Sequence, residues 1–317
     1  MLAVPGVAAA ILLAALVLHS VASAVHITDG FGFRHALVLS SLISATDPIS
    51  VVALFKSLRV PRRLALLIEA ESLLNDGTAV VFFTIVLGLL SGASSSVGGA
   101  FLDFLLVVGM GAAFGVALGY ALSKVAQRTE DPMIQITLTT LAAYGSFTAA
   151  EHFHFSGIIA TVAAGMICGN YGARYGMSPA VRITVQSFWE YVSFALNSVV
   201  FLLIGFEVRV QSLLHAWKPI LIAYLAVTVG RAAVVYLVTM GLRRTREAMP
   251  WSWIAVLTWG GLRGGLSMVL ALALPMDFPF RERLLAMTFG VVVLSILLQG
   301  LSMAPLLRRL KLVGSRT

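Results

Sequence analysis

Four oxygen-bearing side chains share one helical face within an otherwise apolar stretch of the sequence, residues 64–90. Glu71, Ser72, Asn75 and Asp76 stand at positions i, i+1, i+4 and i+5, a spacing that brings them onto one side of a helix. Ionisable side chains at membrane depth are costly, and they usually mark ion paths, proton relays or paired charges. Carboxylate, hydroxyl and carboxamide oxygens are hard ligands that suit Na⁺ or a proton better than soft metals. The stretch therefore predicts a membrane protein that handles ions.

Composition supports the same interpretation over the whole chain. The 317 residues are 59% hydrophobic and only 11% charged, and the mean hydropathy is +0.95, whereas a soluble domain is roughly 25% charged. A membrane-spanning helix needs about 20 mostly apolar residues. We therefore predict an all-α polytopic membrane protein with about ten transmembrane helices, at residues 4–24, 34–55, 64–90, 98–124, 133–150, 155–170, 185–206, 218–241, 251–275 and 283–307.

The basic residues alternate between the two sides of this map. The loops after the second, fourth, sixth and eighth spans, together with the C-terminal tail, hold 15 of the 22 Lys and Arg residues, and the opposite loops hold 5. The remaining two, Arg231 and Arg263, lie inside spans. By the positive-inside rule, both termini are expected to be cytoplasmic. The net charge of +8 is therefore explained by short loops, and we expect no nucleic-acid partner.

Two of the spans contain sequences that interrupt a helix. In the second span, Thr46 and Asp47 precede Pro48, which removes a backbone hydrogen bond and clashes with the preceding turn. In the ninth span, residues 260–265 contain four glycines around Leu262 and Arg263, which favours non-helical backbone. Discontinuous helices are typical of secondary transporters, in which the freed carbonyl groups and helix ends bind ions.

Depth in the membrane suggests how the buried charges pair. At 1.5 Å per residue, Asp76 and Arg263 lie roughly 18 Å from the cytoplasmic ends of their helices, Arg231 about 15 Å and Glu71 about 10 Å. A buried Arg stays charged and needs a partner. Glu71 is the carboxylate nearest in depth to Arg231. We expect Arg263 to face carbonyl groups exposed by its own helix break, with Glu71 as the second choice.

Taken together, these motifs resemble the monovalent cation–proton antiporter superfamily, specifically its sodium/proton exchanger branch. The resemblance extends over the whole chain, and the Asn75-Asp76 pair resembles the electroneutral members. It depends on four separated motifs in the order of the family, at residues 45–48, 69–76, 188–190 with 201–205, and 260–264.

The resemblance implies an inverted-repeat antiporter fold of thirteen spans, with two six-helix repeats joined by a linker helix. On that basis, residues 1–90 are the last three helices of the first repeat and the first half of the core domain. Residues 91–132 are the linker helix, residues 133–212 the scaffold and dimerisation helices, and residues 213–317 the second half of the core. Three helices are then expected to precede Met1.

The resemblance also implies roles for individual residues. Asp76 would bind Na⁺ or H⁺ alternately, and Ser72 and the Thr46 backbone would help to ligate the Na⁺ ion. Asn75 would donate a hydrogen bond to Asp47 across the two helices. A core salt bridge would join Glu71 to Arg231, the arginine that matches best by position.

The implied function is exchange of Na⁺ or Li⁺ for H⁺ by alternating access, for pH and sodium homeostasis. This activity would be electroneutral, without a cofactor and without enzymatic chemistry. The protein would lie in a bacterial or archaeal plasma membrane, with a cytoplasmic C-terminus, and the full-length form would be a homodimer.

Other classes stay open from the residues alone. The same oxygens would accept K⁺, so a K⁺/H⁺ antiporter is one alternative, and an inactive truncated remnant is another. Asp47 and Asp76 could also imitate the pair of an intramembrane aspartyl protease. The Gly-x-Gly-Asp motif of that class is absent from the sequence, as are His-Glu-x-x-His and Gly-x-Ser-x-Gly.

Overall fold

The structure is a computed structural model that describes residues 5–24, 31–47, 49–90, 97–207, 210–243 and 249–313. These residues form helices, and no strand occurs among them. In chain order the helices are α1 (Val7–Ala24), α2 (Phe33–Leu42), α3 (Ile49–Leu58), α4 (Arg62–Leu90), α5 (Val97–Ala126), α6 (Pro132–His152), α7 (Gly157–Ile167), α8 (Ala173–Tyr175), α9 (Pro179–Glu207), α10 (Val210–His215), α11 (Trp217–Leu242), α12 (Trp251–Trp259), α13 (Gly265–Leu272), α14 (Arg281–Leu294) and α15 (Leu301–Arg309).

Several of these helices have the length and apolar character that crossing a membrane requires. Within the described residues, four stretches qualify: Arg62–Gly88, Leu105–Ala126, Trp217–Leu242 and Arg281–Arg309. The apolar helix Val7–Ser23 is shorter. The all-α class expected from the sequence is confirmed, whereas the count of about ten spans stays a prediction.

Both predicted interruptions are present in the structure. The second span is divided into α2 and α3, with residues 43–47 outside either helix. Pro48, to which we attributed this break, lies outside the described residues. The ninth span is divided into α12 and α13, with residues 260–264 between them.

A third irregularity was not predicted from the sequence. The tenth span runs through α14, a π-helical segment Ser295–Gly300 and α15. The Ser295 hydroxyl donates to Gln299 Oε1 at 2.8 Å and accepts the backbone N–H of Arg263 at 3.1 Å. Single π-helical turns often occur at functional sites. Here the wide turn presents a serine hydroxyl to the backbone of the second break.

The chain divides into two compact units. The first consists of residues 1–90 and 203–317, and the second of residues 91–202. In the first unit, α1 packs against α11, α2 packs against α1 and α4, and α14 packs against α11. Gly230 allows the close approach of α11 to α1, because a Cβ at this position would lie only 3.2 Å from Ala14 N. Together with the packing of α13 against α2 and α4, these contacts hold the two interrupted spans next to α4.

In the second unit, α5 and α7 pack closely through a row of glycines with a spacing of four residues. A Cβ added to Gly111 would lie 2.7 Å from Ser156 O, and one added to Gly115 would lie 2.7 Å from the carbonyl carbon of Ala160. Small residues at this spacing allow helix backbones to approach in a membrane, where van der Waals packing replaces the hydrophobic effect as the driving force.

Candidate functional site

The two non-helical segments, residues 43–47 and 260–264, meet inside the first unit. The backbone N–H of Asp47 donates to Leu262 O at 2.8 Å. Gly264 lies directly against Asp47, because a Cβ at this glycine would be 2.7 Å from Asp47 Oδ2. We call this meeting point the crossing. It pairs backbone groups that the helix breaks have freed and leaves room for little except hydrogen at position 264.

Arg263 extends from one segment of the crossing to the other. Its side chain is buried, and Nη1 donates to Ser44 O at 2.7 Å and to Ala45 O at 3.4 Å. Our expectation that Arg263 faces the carbonyl groups of its own break is therefore wrong. The carbonyls it binds lie in non-helical backbone just beyond the end of α2 at Leu42, on the side where the helix dipole is negative. A guanidinium group is well placed to satisfy them.

Helix α4 presents its polar face to the first segment of the crossing. The hydroxyl of Ser72 donates to Thr46 O, and the hydroxyl of Thr46 lies 3.4 Å from Ser72 Oγ. Asn75 Nδ2 donates to Ser44 O at 3.1 Å and to Thr46 Oγ1 at 2.9 Å. The described bonds of this amide nitrogen reach Ser44 and Thr46, because the chain leaves helix geometry after α2 and exposes these oxygens to α4. The bond from Asn75 to Asp47 that the resemblance implies stays a prediction.

Asp76 is the least satisfied acid of this face. Its Oδ1 atom is buried, and no group in the described part of the chain donates a hydrogen bond to it. The carboxylates of Asp47 and Glu71 also act on Asp76 through space. A buried carboxylate oxygen without a hydrogen-bond donor is costly, and this carboxylate therefore gains by binding a monovalent cation or a proton.

Glu71 and Arg231 form a bidentate ion pair between α4 and α11. Nη1 lies 3.0 Å from Oε1 and Nη2 lies 2.8 Å from Oε2, and each side chain is 10% exposed. Arg231 also donates to Leu257 O from Nε at 3.1 Å and from Nη2 at 2.9 Å. Gly261 borders the guanidinium, because a Cβ there would lie 2.6 Å from its Cζ. Arg231 thus ties α4, α11 and α12 together.

The residues expected from the sequence therefore meet at one place. Thr46, Ser72 and Asn75 are joined directly, Asp47 lies on the crossing, and Glu71 and Arg231 form the adjacent pair. Sequence reasoning missed the roles of the Leu257 carbonyl and of Ser295 with Gln299. The only available signal for the latter two was a pair of polar residues four positions apart in an apolar span.

Within the described residues, no group of three or more His, Cys, Asp or Glu side chains could hold a metal ion. The neutral oxygens that accompany Asp76 on this face are the hydroxyl of Ser72, four positions earlier on α4, and the Thr46 carbonyl that this hydroxyl binds. Neutral oxygens beside a carboxylate suit a weakly held monovalent ion better than a tightly bound divalent one.

Known proteins are similar to this chain in sequence and in fold. An Na⁺/H⁺ antiporter of Halobacillus dabanensis, NhaH, is 41% identical over 285 residues, which covers 88% of this chain and 69% of the relative. An Na⁺/H⁺ antiporter of Aphanothece halophytica, ApNhaP, is 39% identical over 290 residues, covering 91% of this chain and 56% of the relative. The chain thus spans about half to two thirds of the length of the curated relatives it matches.

A solved structure has the same fold. The sodium proton antiporter MjNhaP1 of Methanocaldococcus jannaschii at pH 8 superposes with a TM-score of 0.76 at 19% identity, covering 96% of this chain and 76% of that one. The family model described as sodium/hydrogen exchanger, transmembrane, matches residues 1–309. The family model thus matches nearly the whole chain, and the fold and the crossing of broken helices beside an acidic helix agree with it. The chain belongs to the transmembrane sodium/hydrogen exchanger family.

Proposed function

We propose that this chain exchanges Na⁺ or Li⁺ for H⁺ across a membrane, with Asp76 as the carboxylate that binds either ion. The observation that carries the proposal is the buried Oδ1 of Asp76, which has no donor among the described residues and lies beside a helix crossing. The relatives' printed name, Na⁺/H⁺ antiporter, supports the same activity.

The oxygens near Asp76 suit a transient cation. Ser72 uses its hydroxyl hydrogen in the bond to Thr46 O and accepts one long bond from Thr46 Oγ1, which leaves one of its lone pairs to face a positive ion. The Thr46 carbonyl retains a second lone pair as well. A carboxylate with neutral oxygen ligands holds Na⁺ weakly enough to release it. Because one carboxylate cannot bind Na⁺ and carry a proton at the same time, the two ions compete, and this competition is the basis of exchange.

Removing the charge of Asp76 tests the proposal. Asp76→Asn preserves the size of the side chain but cannot ionise, so we expect a folded protein without Na⁺-driven proton flux in proteoliposomes. Asp277→Asn is the matched control, because Asp277 is an exposed loop residue outside the helices. This variant should exchange as the wild type does. Exchange above about a tenth of the wild-type rate in Asp76→Asn would assign the proton to another group.

The pH dependence tests the competition itself. At low pH, protons occupy Asp76 and Na⁺ binds poorly, and at high pH there is no proton to return. The apparent affinity for Na⁺ should therefore weaken as the pH falls, and the exchange rate should pass through a maximum with pH. An apparent Na⁺ affinity that is independent of pH would contradict a shared carboxylate.

The choice of ion and the integrity of the chain can be decided in the same assay. Replacing Na⁺ with Li⁺ should support exchange, and exchange driven only by K⁺ would favour a K⁺/H⁺ antiporter instead. A folded wild-type chain that exchanges none of these ions would be an inactive remnant.

We also propose that both termini face the cytoplasm, since 15 of the 22 basic residues lie in loops assigned to that side. Homodimerisation through residues 133–212 stays a prediction.

A further inference from the structure

A small, partly polar cavity lies next to the ion pair, between α1, α2, α4 and α11. Its volume is about 30 Å³, which is enough for at least one water molecule. Apolar residues of α1 and α11, including Ala10, Ala14 and Val234, form part of its wall. The polar part of the wall consists of Ser40, Ser44, Glu71, Asn75, Arg231 and Arg263.

Two buried polar atoms belong to residues that line this cavity. Ser40 Oγ and Asn75 Oδ1 have no hydrogen-bond partner in the part of the chain that the structure describes. Both residues are only 2% exposed. Buried polar atoms in native proteins nearly always have a partner, either a protein group or an ordered water. Two such atoms, on residues that line one cavity, point to a ligand that can satisfy both.

The charges of the wall restrict the chemistry of that ligand. Arg231 and Arg263 contribute two positive charges, and both carboxylate oxygens of Glu71 already bind Arg231. A cation is therefore disfavoured. An anion is disfavoured too, because Asn75 Oδ1 is an acceptor and needs a donor. The volume leaves no space for an organic molecule. A neutral molecule that both donates and accepts hydrogen bonds meets all these conditions.

We propose that the cavity binds an ordered water that accepts a hydrogen bond from Ser40 Oγ and donates one to Asn75 Oδ1. Through this water, Ser40 holds the amide of Asn75 in one orientation. In that orientation Nδ2 donates to Ser44 O and Thr46 Oγ1. A flipped amide would turn Oδ1 toward the Ser44 carbonyl, which has no hydrogen to donate. Ser40 is thus a positioning residue for the polar face that adjoins Asp76.

Replacing Ser40 tests the site, with its neighbour Ser41 as the control. Ser40→Val removes the hydroxyl, and Ser40→Thr, whose side chain has the same shape as that of valine, keeps it, so the comparison separates the hydroxyl from the added bulk. Ser41 is also buried, but its hydroxyl donates to Val38 O within α2 at 2.7 Å. The direct measurement is an experimental structure at a resolution that reveals ordered waters. We expect density bonded to Ser40 Oγ and Asn75 Oδ1 in the wild type and in Ser41→Ala, and none in Ser40→Val.

Three structural outcomes would overturn the proposal. One is wild-type density without this water, with both atoms bonded to protein groups instead. Another is a peak that gains anomalous signal after soaking with Rb⁺ or Tl⁺, which would identify a cation. Persistence of the peak in Ser40→Val would likewise show that Ser40 does not hold it.

A transport measurement, which depends on the proposed exchange, tests the positioning role. Loss of one hydrogen bond to Asn75 should raise the apparent KM for Na⁺ by about two- to tenfold in Ser40→Val. We expect the maximal rate to stay within about a factor of two, Ser40→Thr to recover affinity, and Ser41→Ala to match the wild type. An unchanged KM in Ser40→Val after loss of the water would refute the positioning role. If the wild type exchanged no ions, the proposed function would fail while the density still decided the water site.

Discussion

The ion pair between Glu71 and Arg231 offers a quantitative test of how the core is held together. We consider truncating each partner to alanine, alone and together. Either single change leaves one charge in a low-dielectric interior without its partner. Because each side chain is only 10% exposed, the cost should approach the roughly 3–5 kcal/mol typical of breaking a buried pair from one side.

The hydrogen bonds around the pair predict which single variant is the worse. In Glu71→Ala, Arg231 retains its two bonds to Leu257 O. In Arg231→Ala, the carboxylate of Glu71 loses its partner, and the buried Leu257 carbonyl loses both of these donors as well. An unsatisfied buried group adds about 1–3 kcal/mol. We therefore expect Arg231→Ala to destabilise the protein more than Glu71→Ala does.

The double variant separates the pair from its surroundings. Removing both charges leaves no buried charge without a partner, so the combined loss should be smaller than the sum of the single losses by about 2 kcal/mol, within the range for residues in contact. The free energy of unfolding can be followed by tryptophan fluorescence in mixed micelles with increasing SDS content. Folded yield after purification gives an independent ranking of the variants.

A second cycle provides the control. Glu69 lies two positions before Glu71 on α4, so its side chain points about 200° away around the helix. Glu69→Ala combined with Arg231→Ala should be additive within about 0.5 kcal/mol. If the Glu71 and Arg231 losses were strictly additive too, the pair would contribute nothing specific, and the reasoning from its geometry would be refuted.

Two glycine substitutions, with a third as a control, give further predictions. Gly264→Ala should push residues 260–264 away from Asp47, which should lower the stability of the protein by about 1–3 kcal/mol, as overpacking does, and slow exchange. A variant with normal exchange would mean that the crossing can widen freely. Gly115→Ala should reduce folded yield because its Cβ would press on the Ala160 backbone, whereas Gly109→Ala on the same helix has open space and should be neutral or gain up to about 1 kcal/mol. Equal yields for these two variants would contradict the close packing of α5 on α7.

Features that follow from regular helix geometry could be predicted from the sequence. Depth at 1.5 Å per residue matched Glu71 with Arg231 because both lie on uninterrupted helices, where position along the axis follows from residue number. The breaks were predictable too, since four glycines in residues 260–265 weaken any helix. Such features depend only on local chemistry and on the rise of a helix.

Features that depend on non-helical backbone could not be predicted in this way. The prediction of the carbonyls that Arg263 binds was wrong, because rise per residue says nothing about the direction of a side chain on non-helical backbone. Its partners, the carbonyls of Ser44 and Ala45, are more than 200 positions away in the sequence. The π-helical turn at Ser295 is similar: its local sequence is that of an ordinary apolar helix, and the turn forms where a hydroxyl meets the backbone of Arg263. Tertiary contacts determine the conformation of such segments, and these contacts cannot be read from a single sequence.

The charges around the crossing carry a prediction about stoichiometry. Asp47, Glu71 and Asp76 contribute three negative charges when ionised, and Arg231 and Arg263 contribute two positive charges. Since arginine stays charged in proteins, the described groups sum to one negative charge, which either one Na⁺ or one H⁺ neutralises. Carrying either ion across the membrane therefore leaves the same net charge in the core, and we expect one-for-one, electroneutral exchange. In proteoliposomes whose potential is clamped with valinomycin and K⁺ gradients, the Na⁺/H⁺ exchange rate should not change with the sign or size of that potential. Acceleration by an imposed potential would mean that a second proton moves, and Asp47 would be the first residue to test for it.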